Sequence, residues 1–146
     1  GGPAAAAAVP AAAASPQRLR LLLVEDEPDL LRLLAMVIDG WQLPLDVRTA
    51  TNGFEALVRI GEQRPDLLIT DLSMPGMDGF RMLRSLRGFG DDYRDLDIIV
   101  VSALSPQEIA DRGGLPAGAH FFSKPVPFSQ LEDLVRTKLQ ARGLAA

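Results

Sequence analysis

The sequence predicts an α/β fold in which a parallel sheet of five strands carries helices on both faces. Short apolar runs alternate with stretches of helical periodicity, in five successive pairs along the chain. This alternation favours a parallel sheet, because right-handed crossovers return each strand parallel to the one before it. At 146 residues the chain has the size of one domain with one core. These observations together define the doubly wound class.

Composition excludes several classes of function. Hydrophobic residues make up 47% and charged residues 23% of the chain, the balance of a globular domain. The formal net charge of −4 argues against direct binding of nucleic acid, and the absence of cysteine excludes disulfides and thiolate metal sites. No apolar run approaches the roughly 18 residues that a membrane span needs. We therefore expect a soluble domain.

The strands are predicted from short runs of apolar residues that are bounded by turn-forming residues. The expected strands are Leu19–Val24, Leu45–Ala50, Leu67–Ile69, Ile98–Val101 and His120–Phe122. Residues 18–142 should form the domain that contains them. Residues 1–17 consist almost entirely of alanine, proline and glycine, and the prolines interrupt the alanines before a stable helix can form. We expect this segment to be a flexible or partly extended tether.

The helices are predicted from their start and stop signals. Pro28 suits a first helical turn, and the helix should end near Gly40. Asn52 and Glu55 have the spacing of a helix cap and its partner in a second helix. The third helix follows the turn-rich segment 73–79, and the fifth follows Pro127. The periodicity thus accounts for four of the five helices.

The fourth helix has the clearest start. Ser105, Pro106 and Glu108 compose a capping box with proline at the first helical position. The segment Gly113–Pro116, with two glycines and a proline, should stop the helix early. We therefore expect a helix of about two turns, followed by a segment that is short or mobile.

Polar residues follow four of the five predicted strands. Glu25 and Asp26 end the first strand, Asp71 follows the third, Ser102 the fourth and Lys124 the fifth. In doubly wound sheets the ligand site lies beyond the carboxyl ends of the strands, so these groups can converge. Three carboxylates in one crevice would repel one another, and a hard divalent cation would relieve that repulsion. With Lys124 also offsetting charge, Asp71 becomes a plausible nucleophile toward a phosphoryl group.

The chain resembles the receiver domains of response regulators in four segments, LLLVEDEP, LLITDLSMPGMDG, IIVVSALS and GAHFFSKPV. The resemblance covers about residues 19–140 and is to the CheY-like group of the flavodoxin-like superfamily. It implies the strand order 2-1-3-4-5. It also implies a role in two-component signalling, in which an aspartate accepts a phosphoryl group from a phosphohistidine.

The resemblance assigns a role to each residue at the strand ends. Asp71 would be the phosphoacceptor and a metal ligand. Asp26 would bind the metal directly, Glu25 would hold it through water, and the backbone carbonyl of Ser73 would complete the protein ligands. The implied metal is Mg2+, with Mn2+ as an alternative.

The same resemblance implies a conformational switch. Ser102 would hydrogen-bond a phosphoryl oxygen, and Lys124 would pair with another. Phe121 matches the aromatic residue that rotates in the family, and the Lys124–Pro125 bond matches a peptide that the family holds cis. Phosphorylation would then change the surface formed by the fourth helix, fifth strand and fifth helix.

The implied partners are a sensor histidine kinase or a histidine phosphotransfer protein as donor, a downstream output protein or domain, and a second copy of the chain in a homodimer. The implied location is the cytoplasm, without contact to nucleic acid or membrane. The sequence leaves open a single-domain regulator, the receiver of a hybrid kinase and a receiver-like interaction module that is never phosphorylated. An aspartate-dependent phosphatase is disfavoured because Ser73 stands where its second Asp would lie.

Two departures from the family pattern bear on function. The segment Gly113–Pro116 lies where a regular fourth helix would normally continue, which predicts an altered output face. Phosphoryl lifetime in the family depends on the side chains at the positions of Ser73 and Leu104, and neither is a carboxylate or an amide. We therefore expect slow self-dephosphorylation, since no side chain there orients an attacking water.

Overall fold

A computed structural model describes residues 18–144, apart from the side chains of residues 91 and 92; the expected tether at 1–17 lies outside these residues. The strands are β1 (Leu19–Val24), β2 (Leu45–Ala50), β3 (Leu67–Thr70), β4 (Asp97–Ser102) and β5 (His120–Ser123). The α-helices are α1 (Pro28–Gly40), α2 (Gly53–Glu62), α3 (Gly79–Arg87), α4 (Pro106–Asp111) and α5 (Phe128–Ala141). A 3-10 helix, Gly90–Tyr93, lies between α3 and β4.

The five strands form one parallel sheet in the order β2-β1-β3-β4-β5, which confirms the predicted fold class and strand order. The change in direction of the strand order lies between β1 and β3, so the crevice expected in this class opens at the ends of these two strands. In the register, Val24 pairs with Thr70, and Thr70 pairs with Val100. The carboxyl ends of the central strands are therefore level with one another.

Each face of the sheet carries its own apolar cluster. Alternate β1 residues point to opposite faces, so Leu22 and Val24 join one cluster while Leu21 and Leu23 join the other. The first cluster includes side chains of α2, α3 and α4, and the second includes those of α1 and α5. Burying a leucine side chain stabilises the fold by roughly 1.5–3 kcal/mol, so the two clusters hold the helices against the sheet. Among the described residues, no helix is long and apolar enough to cross a membrane.

The helix starts follow local hydrogen bonds. The Asn52 side chain accepts the backbone N–H of Glu55, as the spacing predicted. The Glu55 carboxylate, however, accepts the N–H of Thr51 at 2.6 Å and not that of Asn52, so the reciprocal half of the cap lies one residue earlier than expected. The capping box of Ser105 and Glu108 is present in full.

The fourth helix is short, as predicted, and it ends in a defined cap. It has six residues, and the N–H groups of Gly113 and Gly114 donate to the carbonyls of Ala110 and Ile109. This is the Schellman arrangement, in which the residue after the cap adopts a left-handed conformation. Gly113 has a φ of 103°, which a glycine adopts without strain. The backbone N–H groups of two glycines therefore cap the C-terminus of α4.

Candidate functional site

The register of the sheet brings the polar residues together. Because Val24 and Thr70 are paired, the residues that follow them, Glu25 and Asp71, leave the sheet side by side. The Asp71 N–H still donates to the Val24 carbonyl at 3.1 Å, and the Glu25 N–H donates to the Ala50 carbonyl at 3.0 Å. Both carboxylates are therefore fixed by backbone that continues the sheet pairing.

Asp71 lies at the centre of the site and is only 5% exposed. Its Oδ1 accepts the backbone N–H of Leu72 at 2.6 Å and faces the N–H of Ser73 at 3.4 Å. Its Oδ2 accepts a hydrogen bond from the Lys124 ammonium at 2.8 Å. The Thr70 hydroxyl donates to the Asp71 carbonyl at 2.8 Å. The Asp71 carboxylate is thus oriented at both oxygens, one by backbone and one by a cation.

Lys124 joins two carboxylates. Its Nζ lies 2.8 Å from Oδ2 of Asp71 and 3.0 Å from Oε1 of Glu25. Burial acts to lower the pKa of the Lys124 ammonium, but the hydrogen bonds and charges of Asp71 and Glu25 together outweigh it, so this pKa is raised. The Lys124–Pro125 peptide is cis, as the resemblance implied.

Glu25 is almost fully buried, at 3% exposure. Burial raises the pKa of its carboxyl, which hydrogen bonds from the Glu27 N–H and from Lys124 partly oppose. Its Oε2 accepts the Glu27 N–H at 3.0 Å. Glu25 is therefore held by the loop after β1 and by Lys124, which follows the edge strand β5.

Carboxylate oxygens of Glu25, Asp26 and Asp71 lie within 4.8 Å of one another. Asp26 is half-buried and the other two are buried. These three carboxylates and the Lys124 ammonium leave a formal charge of −2 (three negative, one positive). An all-oxygen set with that charge suits a hard divalent cation such as Mg2+, which binds through one or two carboxylates and retained water. The donor chemistry therefore fits the implied metal.

Ser102 is the last residue of β4, and it is fully buried. Its Oγ accepts the backbone N–H of Leu104 at 3.2 Å, so its own hydrogen can be donated elsewhere. The Ser102 carbonyl accepts the N–H of Lys124 at 2.9 Å, which links the ends of β4 and β5. Phe121, on β5, is half-buried and packs against the cluster that contains α2, α3 and α4. Ser73 is exposed beside Asp71.

Several groups that orient the site were not predicted from the sequence. Two of these groups are the backbone N–H groups of Leu72 and Leu104. Because they belong to the backbone, the residue type in the sequence does not indicate their role. Gly79 is also part of the site, because a Cβ there would lie 2.4 Å from the Asp71 carbonyl oxygen. The GMDG sequence at the start of α3 predicts a turn, but the close approach of Gly79 to Asp71 is visible only in the three-dimensional fold.

Buried carboxylates, a bridging lysine and a buried hydroxyl at the strand ends of a 2-1-3-4-5 sheet define a receiver-type signalling domain. A model of the response regulator receiver domain matches residues 21–136. The chain belongs to the response-regulator receiver family.

Relatives agree with this assignment. The chain is 36% identical to the transcriptional regulatory protein PrrA of Mycobacterium tuberculosis over 130 residues, which cover 87% of this chain and 52% of that protein. The chain thus spans about half the length of the curated relatives that it matches.

Solved structures agree as well. The receiver domain of a histidine kinase from Syntrophus aciditrophicus superposes with a TM-score of 0.73 at 30% identity, over 84% of this chain and 91% of that one. The response regulator TrrA of Thermotoga maritima, solved in complex with Mg2+ and BeF, gives a TM-score of 0.67 at 28% identity, over 83% and 99% of the two chains.

Proposed function

We propose that this domain is a phosphorelay receiver that takes a phosphoryl group from a phosphohistidine onto Asp71 with Mg2+ bound. The observation that carries the proposal is the arrangement at Asp71, whose carboxylate is buried, contacts Lys124 and lies within 4.8 Å of carboxylates of Glu25 and Asp26. Buried like charges of this kind are costly for stability alone. Such a cluster of carboxylates is typical of a site that binds a cation together with an anionic group.

The transfer needs an oriented acceptor. A carboxylate oxygen of Asp71 forms the new P–O bond while the P–N bond of the donor breaks, and its electron pair stays on the imidazole nitrogen. The Leu72 N–H holds one acceptor oxygen in place, which limits the orientations that Asp71 can take. Lys124 then transfers its hydrogen bond from the carboxylate to a phosphoryl oxygen. Asp26, Asp71 and the Ser73 carbonyl would hold Mg2+, with Glu25 acting through water, and the ion would neutralise charge on the phosphoryl oxygens.

The signal leaves the site through Ser102 and Phe121. The Ser102 hydroxyl, already fixed by the Leu104 N–H, donates its hydrogen to a phosphoryl oxygen and draws the loop after β4 toward Asp71. Phe121 then moves inward from its half-buried position. The output surface of the proposal is the one formed by α4, β5 and α5.

The proposed partners follow from this chemistry. The donor is a histidine kinase or histidine phosphotransfer protein in the cytoplasm, and the readout is an output protein or domain or a homodimer. A single-domain regulator and the receiver of a hybrid kinase would use the same site.

The test is intact mass after incubation with acetyl phosphate. We expect a gain of one phosphoryl group, about 80 Da, in the presence of Mg2+. The gain should disappear with a chelator, in Asp71→Asn, and largely in Asp26→Asn, because that change removes a charge from the cation site.

Glu27→Gln is the matched control, since Glu27 is an exposed neighbour of Asp26 outside the carboxylate cluster. It should be phosphorylated like the wild type. A gain that survives Asp71→Asn would show a different acceptor. No gain in the folded wild type would favour the interaction module that is never phosphorylated.

A further inference from the structure

A groove runs along α3 beside the C-terminal end of α4. It consists of two adjoining cavities of about 170 Å3 and 350 Å3. Leu83, Arg87 and Pro116 line both cavities, which makes them one continuous surface. Phe80 and Leu83 in its wall are buried core residues of α3. The groove therefore exposes a narrow strip of the apolar core.

The short fourth helix leaves this groove open. A longer α4 would continue over the sheet toward β5, but here the chain turns away at Gly113 and Gly114. Leu96 and Ile98, at the start of β4, remain only partly buried and line the larger cavity. The departure from the family pattern thus has a structural consequence beyond the end of α4.

The rim of the groove is cationic. Arg84, Arg87 and Arg112 line the smaller cavity. Among the residues whose side chains the structure describes, which exclude Asp91 and Asp92, no Asp or Glu lines either cavity. Within residues 18–144, none of these arginines forms an ion pair, whereas Arg59 and Arg136 each pair with carboxylates of their own helices. These groups are therefore available to an external anion.

Ordinary structural roles explain only part of this arrangement. Arg84 and Arg87 lie in the last turn of α3, where cations stabilise the helix dipole. That role does not account for Arg112, which approaches from the end of α4 and lies 5.5 Å from the Phe80 ring centre. Glu108 lies one turn before Arg112, but its carboxylate is bound to the Ser105 N–H. Arg112 also stacks on the Phe80 ring, and its charge adds to the Ser105 hydrogen bonds in lowering the pKa of Glu108. These roles concern Arg112 alone and do not require arginines of α3 to line the same apolar groove.

We propose that the groove binds a short acidic segment of a partner protein. An apolar side chain of that segment would occupy the cavity beside Leu83 and Pro116, and its carboxylates would pair with Arg84, Arg87 and Arg112. A nucleic acid fits less well, because the chain carries a net charge of −4 and would repel a long polyanion. This surface lies on the α3 side of α4.

The experiment is selection of random peptides displayed on phage against the folded domain. We expect enrichment of peptides that combine Asp or Glu with a large apolar residue. Binding of a selected synthetic peptide, measured by fluorescence polarisation, should weaken about tenfold in Arg84→Ser/Arg87→Ser and should weaken with added salt. Arg87→Lys should retain part of the affinity.

Arg81→Ser is the matched control, because Arg81 is an exposed arginine of α3 that does not line the groove. It should leave the affinity unchanged. Leu83 is buried, so the apolar contact is tested instead with a peptide whose apolar residue is replaced by serine, which should bind more weakly.

Three outcomes would overturn the proposal. One is selection that enriches no acidic peptides on a domain whose thermal unfolding is intact. Another is equal binding by Arg84→Ser/Arg87→Ser and the wild type. The third is binding of a different ligand, either a single-stranded oligonucleotide or a second copy of the chain detected by sedimentation, if that binding is lost in the same double variant.

Discussion

Lys124 determines the charge balance of the carboxylate cluster around Asp71. Its ammonium lies within 3.0 Å of both Glu25 and Asp71, which are buried. Without a cation, two carboxylates so close together would lose hydration and repel each other. Because the pKa of Lys124 is raised above its usual value, the lysine stays charged throughout the neutral range. The same residue therefore stabilises the buried carboxylates and, in the proposed function, is in place for the incoming phosphoryl group.

Ser73 gives a test of phosphoryl lifetime. Its side chain is exposed next to Asp71, and it has no carboxylate or amide to orient a water molecule. We expect Ser73→Asn to shorten the half-life of phosphorylated Asp71 by about tenfold, because an oriented amide can position an attacking water. The measurement is the decay of the phosphorylated mass after removal of the donor.

Ser73→Ala is the matched control and should decay at the wild-type rate. The backbone N–H and carbonyl of residue 73 are retained in both variants, so neither loses a backbone group of the site. A wild-type half-life of only seconds, or equal decay of the two variants, would contradict the interpretation of Ser73.

The start of α3 packs tightly against the backbone of Asp71. A Cβ at Gly79 would lie 2.4 Å from the Asp71 carbonyl oxygen and 2.8 Å from the Leu72 Cα. We expect Gly79→Ala to destabilise the domain by about 1–3 kcal/mol and to slow phosphorylation, because backbone that holds Asp71 must shift. Denaturant unfolding and intact mass measure the two effects.

Gly61→Ala is the control for that change, since nothing lies within 4 Å of a Cβ there. Gly61 is the second-last residue of α2, and alanine there should leave the free energy of unfolding unchanged or raise it by up to about 1 kcal/mol. A Gly79→Ala domain of wild-type stability would mean that the acceptor backbone is not confined by α3.

The cap of α4 predicts a dependence of stability on pH. The Ser105 backbone N–H, then its hydroxyl, lowers the pKa of the Glu108 carboxyl below its ordinary value of 4.5. A lowered folded-state pKa contributes stability that is present above 4.5 and is lost as the pH falls through the lowered value. Glu108→Gln should therefore be less stable than the wild type near neutral pH, and the difference should vanish in acid. Denaturant unfolding across the acid range measures it, and a difference independent of pH would contradict this cause.

Prediction from sequence succeeded where local signals determine the structure. The capping box at Ser105, the proline at the start of α1 and the apolar strand runs each depend on near neighbours, so the element bounds followed closely. The proximity of the strand-end residues Asp71 and Lys124 was also predicted, because the carboxyl ends of parallel strands lie at one edge of the sheet.

What the sequence could not provide depends on long-range packing. The 3-10 helix at Gly90–Tyr93 has no periodicity to reveal it in four residues. The pairing of Glu25 with Lys124 joins residues 99 positions apart, and it arises from the sheet register. The groove beside α3 likewise appears only once the short α4 is placed over the sheet.

The two ends of the sheet have different roles. The carboxyl ends of the strands carry the carboxylate cluster around Asp71, while the amino ends are joined by Arg142, just after α5. Its Nη2 donates to the carbonyls of Asp66 and Asp95 at 3.1 and 2.7 Å and to the Asp97 carboxylate at 3.2 Å. Asp66 in turn accepts the Arg20 N–H, which extends the network to β1. One side chain therefore ties the end of the last helix to segments that begin three strands.

Removing that side chain should weaken the whole molecule while leaving the site intact. We expect Arg142→Leu to lower the free energy of unfolding by about 1–3 kcal/mol, because the carbonyls of Asp66 and Asp95 and the Asp97 carboxylate lose a common donor. Arg136→Leu is the matched control on α5, since Arg136 forms only a partly exposed pair with Glu132, worth about 0.3–0.5 kcal/mol. Denaturant unfolding compares the two, and phosphorylation of folded Arg142→Leu should proceed at the wild-type rate. Equal losses of stability in the two variants would mean that Arg142 acts only as a surface charge. A loss of phosphorylation in the folded protein would instead mean that the two ends of the sheet are coupled.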